Sequence, residues 1–215
     1  MSSPLLLGHR GARGSRSVAE NTFASFDLAL KHGCQGFEFD VRLTSDGCAV
    51  ICHDPQAGKA EIARSKCAQL PQLPSLLDVL ARYGNRAFLD IELKVPGLES
   101  QLLVALREHP PGRGYVVSSF LPEVLTNLRV RSPETVLGFI CDRQVDLDRW
   151  QDLPVTYVIP HYSLITAKLV QEVHDAGKVL FTWTVNDRAS MQRLAEWGVD
   201  GIISDKTEFL VKTFH

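Results

Sequence analysis

Gly36-Phe37-Glu38-Phe39-Asp40-Val41-Arg42-Leu43-Thr44-Ser45-Asp46-Gly47-Cys48-Ala49-Val50-Ile51-Cys52-His53-Asp54 is the stretch whose reading decides the fold. It reads as strand, turn, strand: alternating apolar residues, a Thr-Ser-Asp-Gly turn, then a β-branched run. Phe37, Phe39 and Val41 share one face of the first strand, and Glu38, Asp40 and Arg42 share the other. The link from Leu43 to Cys48 is far shorter than the dozen or more residues a parallel crossover needs, so Cys48 to Cys52 runs antiparallel to its predecessor. With a hairpin loop of two residues (Asp46, Gly47) or four (Thr44 to Gly47), His53 falls opposite Asp40 or Glu38 respectively. An odd-length loop would turn it to the other face. In either even register two carboxylates and an imidazole converge, a cluster suited to a hard metal ion beside a proton-transfer group.

Outward from this hairpin the chain keeps one rhythm. Strands are expected at residues 5–10, 36–43, 87–94, 115–118, 136–141, 155–160, 178–185 and 200–204, each followed by a helix or a helical stub. Asn21 is expected to cap a helix over residues 22–32, closed by Gly33. Ser75, with Asp78 three residues on, starts another that ends near Gly84. A helix over residues 98–108 is closed by Pro110-Pro111. Residues 55–73 read as irregular, the one roomy connection. With the antiparallel segment set aside, eight βα units imply a closed (β/α)8 barrel with a small β-hairpin extension after the second strand, its chemistry at the C-terminal strand ends. An open doubly wound sheet would bring a Gly-rich phosphate turn, and neither G-x-G-x-x-G nor G-x-x-x-x-G-K occurs. At 215 residues the chain is expected to be a single domain over 1–215 with short loops, since such barrels run to ~250 residues.

A composition of 45% hydrophobic and 22% charged residues is that of a soluble globular protein. The net charge of −2 makes no electrostatic case for nucleic acid or an anionic membrane as partner. Met1 to His9 has no basic n-region and too short an apolar run for a signal peptide or a span. The cysteines at 34, 48, 52, 67 and 141 are odd in number and lack C-x-x-C spacing, which reads as free thiols in a reducing cytoplasm.

In the barrel, the first strand delivers His9 and Arg10, the second Glu38 and Asp40, and the hairpin returns His53 over the same rim. In Phe88-Leu89-Asp90-Ile91-Glu92-Leu93-Lys94 the apolar residues face the helices, which leaves Asp90, Glu92 and Lys94 pointing inward. Burying such charges uncompensated costs several kcal/mol each. A bound cation and an anionic substrate relieve that cost.

These pieces resemble the glycerophosphodiester phosphodiesterase family. The matching stretches are Gly8-His9-Arg10-Gly11, Glu20-Asn21-Thr22, Glu38-Phe39-Asp40-Val41, Asp46-Gly47, His53-Asp54 and Leu73-Pro74-Ser75-Leu76. They continue through Ile91-Glu92-Leu93-Lys94, Ser118-Ser119-Phe120, Trp183-Thr184-Val185-Asn186 and Gly201-Ile202-Ile203-Ser204-Asp205, in family order over nearly the whole chain. The resemblance implies a metal-dependent (β/α)8-barrel phosphodiesterase. Glu38, Asp40 and Glu92 would bind one Mg²⁺ or Ca²⁺, and His9 and His53 would serve as general acid and base. Arg10 and Lys94 would hold the phosphate of a small-molecule diester, and Trp183 would line the site. Departures from the family pattern are Ala19 in place of Pro, Pro55-Gln56-Ala57-Gly58 in place of an Arg-Thr motif and insertion, and Thr207 in place of Pro. They leave the catalytic set whole and bear on substrate choice. A lysophospholipase D-like activity on a lipid, or an inactive metal- and phosphate-binding barrel, are the rival readings. An aldolase-type barrel would want a Schiff-base Lys or zinc histidines, and neither arrangement is found.

Overall fold

The computed structural model describes residues 3–215; Met1 and Ser2 of the N-terminal stretch read above lie outside the described residues. Strand β1 (Leu5–Gly8) leads through a tight turn to α1 (Phe23–Lys31) and β2 (Gly36–Leu43). The short antiparallel β3 (Ala49–Ile51) and the small ribbon β4 (Gln56–Ala57) and β5 (Ala60–Glu61) follow, then α2 (Leu76–Tyr83) and β6 (Phe88–Leu93). From there βα units alternate: α3 (Glu99–Glu108), β7 (Tyr115–Ser119), α4 (Pro122–Arg131), β8 (Leu137–Cys141) and the stub α5 (Gln144–Leu147). The chain ends with β9 (Tyr157–Pro160), α6 (Ala167–Asp175), β10 (Val179–Thr182), α7 (Arg188–Glu196), β11 (Gly201–Ser204) and α8 (Thr207–Phe214). Around the barrel the parallel order is β1, β2, β6, β7, β8, β9, β10, β11, and β1 pairs with both β2 and β11 to close it. No helix among the described residues is long and apolar enough to cross a membrane.

Strand alternation divides the apolar residues between two cores. Phe37, Phe39, Leu89, Ile91 and Leu93 face outward into the layer between strands and helices, all at most 1% exposed. Phe26 of α1 stacks on Phe37 at 4.3 Å between centroids, and Tyr83 of α2 meets Phe37 edge-on at 5.1 Å. Leu7, Val116, Ile140, Ile159, Phe181 and Ile203 plug the barrel interior. The inward positions nearer the C-terminal rim of β2 and β6 are instead acidic and basic. The β2–β6 register sets Glu38 beside Asp90 and Asp40 beside Glu92.

Three expectations need correction. The hairpin pairs Val41 with Ile51 and Leu43 with Ala49, so its loop is the odd-length 44–48. Thr44 makes this loop: its N–H donates to Cys48 O at 3.0 Å, and its Oγ1 accepts from the Cys48 N–H at 2.9 Å. Asp46 then accepts from the Thr44 hydroxyl at 2.7 Å and from the Cys67 N–H at 2.9 Å. In this register Cys52 stands opposite Asp40, its N–H donating to Asp40 O at 3.0 Å, and His53 would share the face of Phe39. His53 reaches the barrel mouth because the chain leaves the ladder after Ile51, and not through strand parity. The second correction concerns α1. Its cap is Thr22, whose hydroxyl accepts from the Ser25 N–H at 3.2 Å. Asn21 adopts a left-handed conformation (φ 56°) and spends its side chain on Asp40. Residues 55–73 are also less irregular than read: they hold the β4–β5 ribbon and two 3-10 turns over a small core of Val50, Ile62 and Leu70.

Candidate active site

The turn after β1 is shaped by two glycines. A Cβ on Gly8 would stand 2.3 Å from Gly11 O, and one on Gly11 (φ +77°) would stand 2.2 Å from Ser25 Oγ. Ser25 Oγ stitches the turn by donating to Arg10 O at 2.7 Å and accepting from the Ala12 N–H at 2.8 Å. Arg10 itself has φ +50°, a conformation costly for a residue with a Cβ, and its N–H donates to Glu38 Oε2 at 2.8 Å. This folding brings His9 and Arg10 over the ends of β2 and β6.

A cavity of about 200 Å³ sits there, and it brings together His9, Arg10, Glu38, His53, Glu92, Lys94 and Trp183, with Asp90, Phe120, Ile140, Ile159 and Ile203 completing its wall. Asp40, 1% exposed, lies behind it. One carboxylate oxygen from each of Glu38, Asp40 and Glu92 lies within 4.8 Å of the others. Glu38 Oε1 is buried without a donor. Asp40 Oδ1 and Glu92 Oε1 also lack an aligned hydrogen bond and meet Lys94 Nζ as ion pairs at 3.4 and 2.6 Å. Three buried, under-satisfied carboxylates with oxygen-only donors fit a hard divalent cation.

The electrostatics follow from burial. Desolvation, reinforced by the charges of Asp40, Glu92 and Asp90, drives Glu38 well above the usual carboxylate range. Burial and the charge of Asp40 push Glu92 up to about 7, against the pull of Lys94. Burial works against ionisation of Asp40 too, yet Lys94, Arg10 and the Asn21 amide hold it below its ordinary value. Asn21 Nδ2 donates to Asp40 Oδ2 at 2.8 Å, with Arg10 Nε at 3.3 Å. Burial likewise lowers His9, against the hydrogen bond to Asp205 that raises it.

Several residues enter this site that the sequence reading left without a role. Asp205 Oδ1 lies 2.7 Å from His9 Nδ1. As an ionised acceptor it assigns the proton to Nδ1 and leaves Nε2 facing the acids, 3.8 Å from Glu38 Oε2. His53 Nδ1 pairs in the same way with Asp54 Oδ1 at 2.8 Å. Glu20 holds the Arg10 guanidinium at 2.7 Å. Asp90 accepts from Ser118 Oγ at 2.5 Å, and its other oxygen is unpartnered in the cavity wall. Burial pushes Asp90 up to about 7. At the rim His161 meets Trp183 edge-on at 5.4 Å, and Trp183 Nε1 donates to Ile159 O at 3.0 Å. The signal for Asp205 and Glu20 lay in the quoted motifs; Asp90 gave one by sharing a strand face with Glu92; His161 gave none.

Residues 9–65 and 100–209 match the model of the glycerophosphoryl diester phosphodiesterase family. Glu92 and Lys94 fall between the matched segments; the β2–β6 register sets Glu92 beside Asp40, and Lys94 lines the same cavity. A glycerophosphodiester phosphodiesterase of Caldanaerobacter subterraneus is 30% identical over 236 aligned positions, covering 96% of this chain and 96% of its own. One from Bacillus subtilis is 26% identical and covers 97% of this chain and 85% of its own. Among solved structures, an Oleispira antarctica phosphodiesterase in complex with the product sn-glycerol-3-phosphate superposes with a TM-score of 0.87 at 26% identity, covering 99% of this chain and 97% of its own. A Thermotoga maritima glycerophosphodiester phosphodiesterase has the same fold (TM-score 0.86, 23% identity, 99% of each chain). On the extent of these matches, the chain belongs to the glycerophosphoryl diester phosphodiesterase family.

Proposed function

We propose that this chain is a phosphoric diester hydrolase that cleaves glycerophosphodiesters to glycerol 3-phosphate and an alcohol at the mouth of its barrel. The observation that carries this reading is one cavity in which buried carboxylates with oxygens left without hydrogen bonds, two imidazoles, a guanidinium and an ammonium meet. Family membership and the product complex of the Oleispira relative support it.

Glu38, Asp40 and Glu92 would hold one divalent cation, Mg²⁺ or Ca²⁺. When bound, the ion supplies Lewis-acid polarisation of a phosphoryl oxygen and offsets the buried carboxylate charge. Arg10 and Lys94, now committed to these acids, supply positive charge where the phosphoryl anion grows. His9 and His53 divide the proton work. One takes the proton of the attacking hydroxyl, from water or the neighbouring glycerol hydroxyl, and the other gives one to the leaving alkoxide. Asp205 and Asp54 keep each Nδ1 occupied, so that Nε2 is the atom that exchanges the proton. Trp183 and Phe120, edge-on at 5.5 Å, wall the cavity and exclude water from that side.

Release of glycerol 3-phosphate from glycerophosphocholine and glycerophosphoethanolamine, with chelator and with each ion restored, tests the reading. Turnover should vanish with chelator and return with Mg²⁺ or Ca²⁺. His9→Ala and His53→Ala should each lower kcat roughly 10²-fold or more. Near-normal turnover in both variants would remove the histidines from the chemistry.

A further inference from the structure

Glu38, Asp40 and Arg42 occupy alternate positions of β2, and Arg42 stands beyond the last barrel pair, Val41 with Leu93. Its Nε–H donates to the backbone carbonyl of His53 at 2.7 Å. Among the described residues no carboxylate lies within 4.0 Å of this guanidinium, and its terminal nitrogens make no hydrogen bond. A second cavity, of about 250 Å³, opens beside it, walled by Leu43, Pro55, Ile62, Val95 and Pro96. Pro55 lies two residues after His53 and Val95 directly follows Lys94, and the Arg42–His53 bond joins a residue of this recess to one lining the active-site cavity. Glu61 also borders it, but turns its carboxylate to Arg64 at 3.3 Å.

A phosphodiester has two alcohol arms. If the phosphoryl group occupies the acid-lined cavity, an arm leaving on the His53 side is directed toward a recess with apolar walls and a guanidinium that no carboxylate contacts within 4.0 Å, Asp54 interacting with it only at longer range. We infer that Arg42 sets the leaving-group preference, selecting diesters whose departing alcohol carries a negative charge, a carboxylate or a phosphate monoester, over neutral or quaternary-ammonium alcohols. The inference rests on the phosphodiesterase reading above and deepens it. An arginine suits the task because it remains charged at any working pH and presents a planar fork matched to carboxylate and phosphate oxygens.

The test measures kcat/KM on glycerol 3-phosphate diesters of glycolate, 2-phosphoethanol, ethylene glycol and choline, for the wild type, Arg42→Gln and Arg42→Lys. The wild type should favour the two anionic arms over ethylene glycol by roughly tenfold to a hundredfold, and disfavour choline. The glycolate and phosphoethanol arms tell which anion fits better. Arg42→Gln should erase the ranking by charge, and Arg42→Lys should keep part of it. A wild type that turns over the choline diester as readily as the anionic ones refutes this inference and leaves the phosphodiesterase reading intact. A wild type that cleaves none of the four sinks both. Because Arg42 also holds the His53 carbonyl, a purely positioning role predicts an equal fall in kcat for every arm in Arg42→Gln; that outcome too overturns the inference. Should Arg42→Gln fail to fold, the wild-type ranking by charge decides alone.

Discussion

At Asp205 three donors meet one carboxylate: His9 Nδ1 at 2.7 Å, Asn186 Nδ2 at 2.8 Å and the Arg13 guanidinium at 3.3 Å. Burial alone would raise this acid, but the bonds from His9 and Asn186 and the charge of Arg13 hold it well below the usual range. Asn186 is itself fixed, its Oδ1 accepting from the Ser204 hydroxyl and from the Asp205 N–H, both at 3.0 Å. Asp205→Asn preserves the shape but can donate to Nδ1, which favours the wrong imidazole tautomer. We expect kcat to fall roughly 10²-fold or more with little change in KM. The same substitution has a signature in stability. A carboxylate whose folded pKa is depressed stabilises the native state above its unfolded value, near ~4, and loses that contribution as the pH falls through the folded value. The Tm gap between wild type and Asp205→Asn should therefore be full at pH 6–7 and shrink below about pH 4. A gap that widens on acidification would contradict the assignment.

Among the elements, the turn after β1 and the hairpin after β2 do the placing. The turn has no room for a side chain at Gly11, so Gly11→Ala should cost about 2–4 kcal/mol in a urea titration, combining a disfavoured φ with a clash on Ser25. It should lower activity as well, since Ser25 Oγ ties Arg10 and Ala12 in position. The hairpin shows where local reading stops. Period-2 alternation correctly turned Glu38, Asp40, Asp90 and Glu92 inward, because side-chain direction in a strand is covalent geometry. The same counting failed for His53: the Thr44 side chain added a residue to the loop, and pairing ended at Ile51. Asn21 was misread for a related reason. A local rule made it a cap, but its amide has a buried carboxylate to satisfy, and Thr22 took over the cap.

For the molecule as a whole, the buried acids at the barrel mouth are an energetic burden that the proposed cation would offset. A ligand that binds only the native state stabilises it by about 2.7 kcal/mol at a hundredfold excess over Kd. For a chain of this size that corresponds to a rise in Tm of about 5–10 °C. Thermal melts with Mg²⁺ or Ca²⁺ against chelator should show such a rise, and Glu92→Gln should abolish most of it. Equal melts with and without divalent ions would count against a cation at Glu38, Asp40 and Glu92. The eight βα units, the antiparallel return of β3 and the inward acids were determined by the amino-acid order alone, because each depends on contacts or directions within a few residues. Tertiary structure alone decided the pairing of His9 with Asp205 across 196 positions, the delivery of His53, the Ser118 partner of Asp90 and the bond of Arg42 to the His53 carbonyl. Those contacts exist only once β11 closes on β1 and the loops dock on the rim, and no local periodicity records that closure.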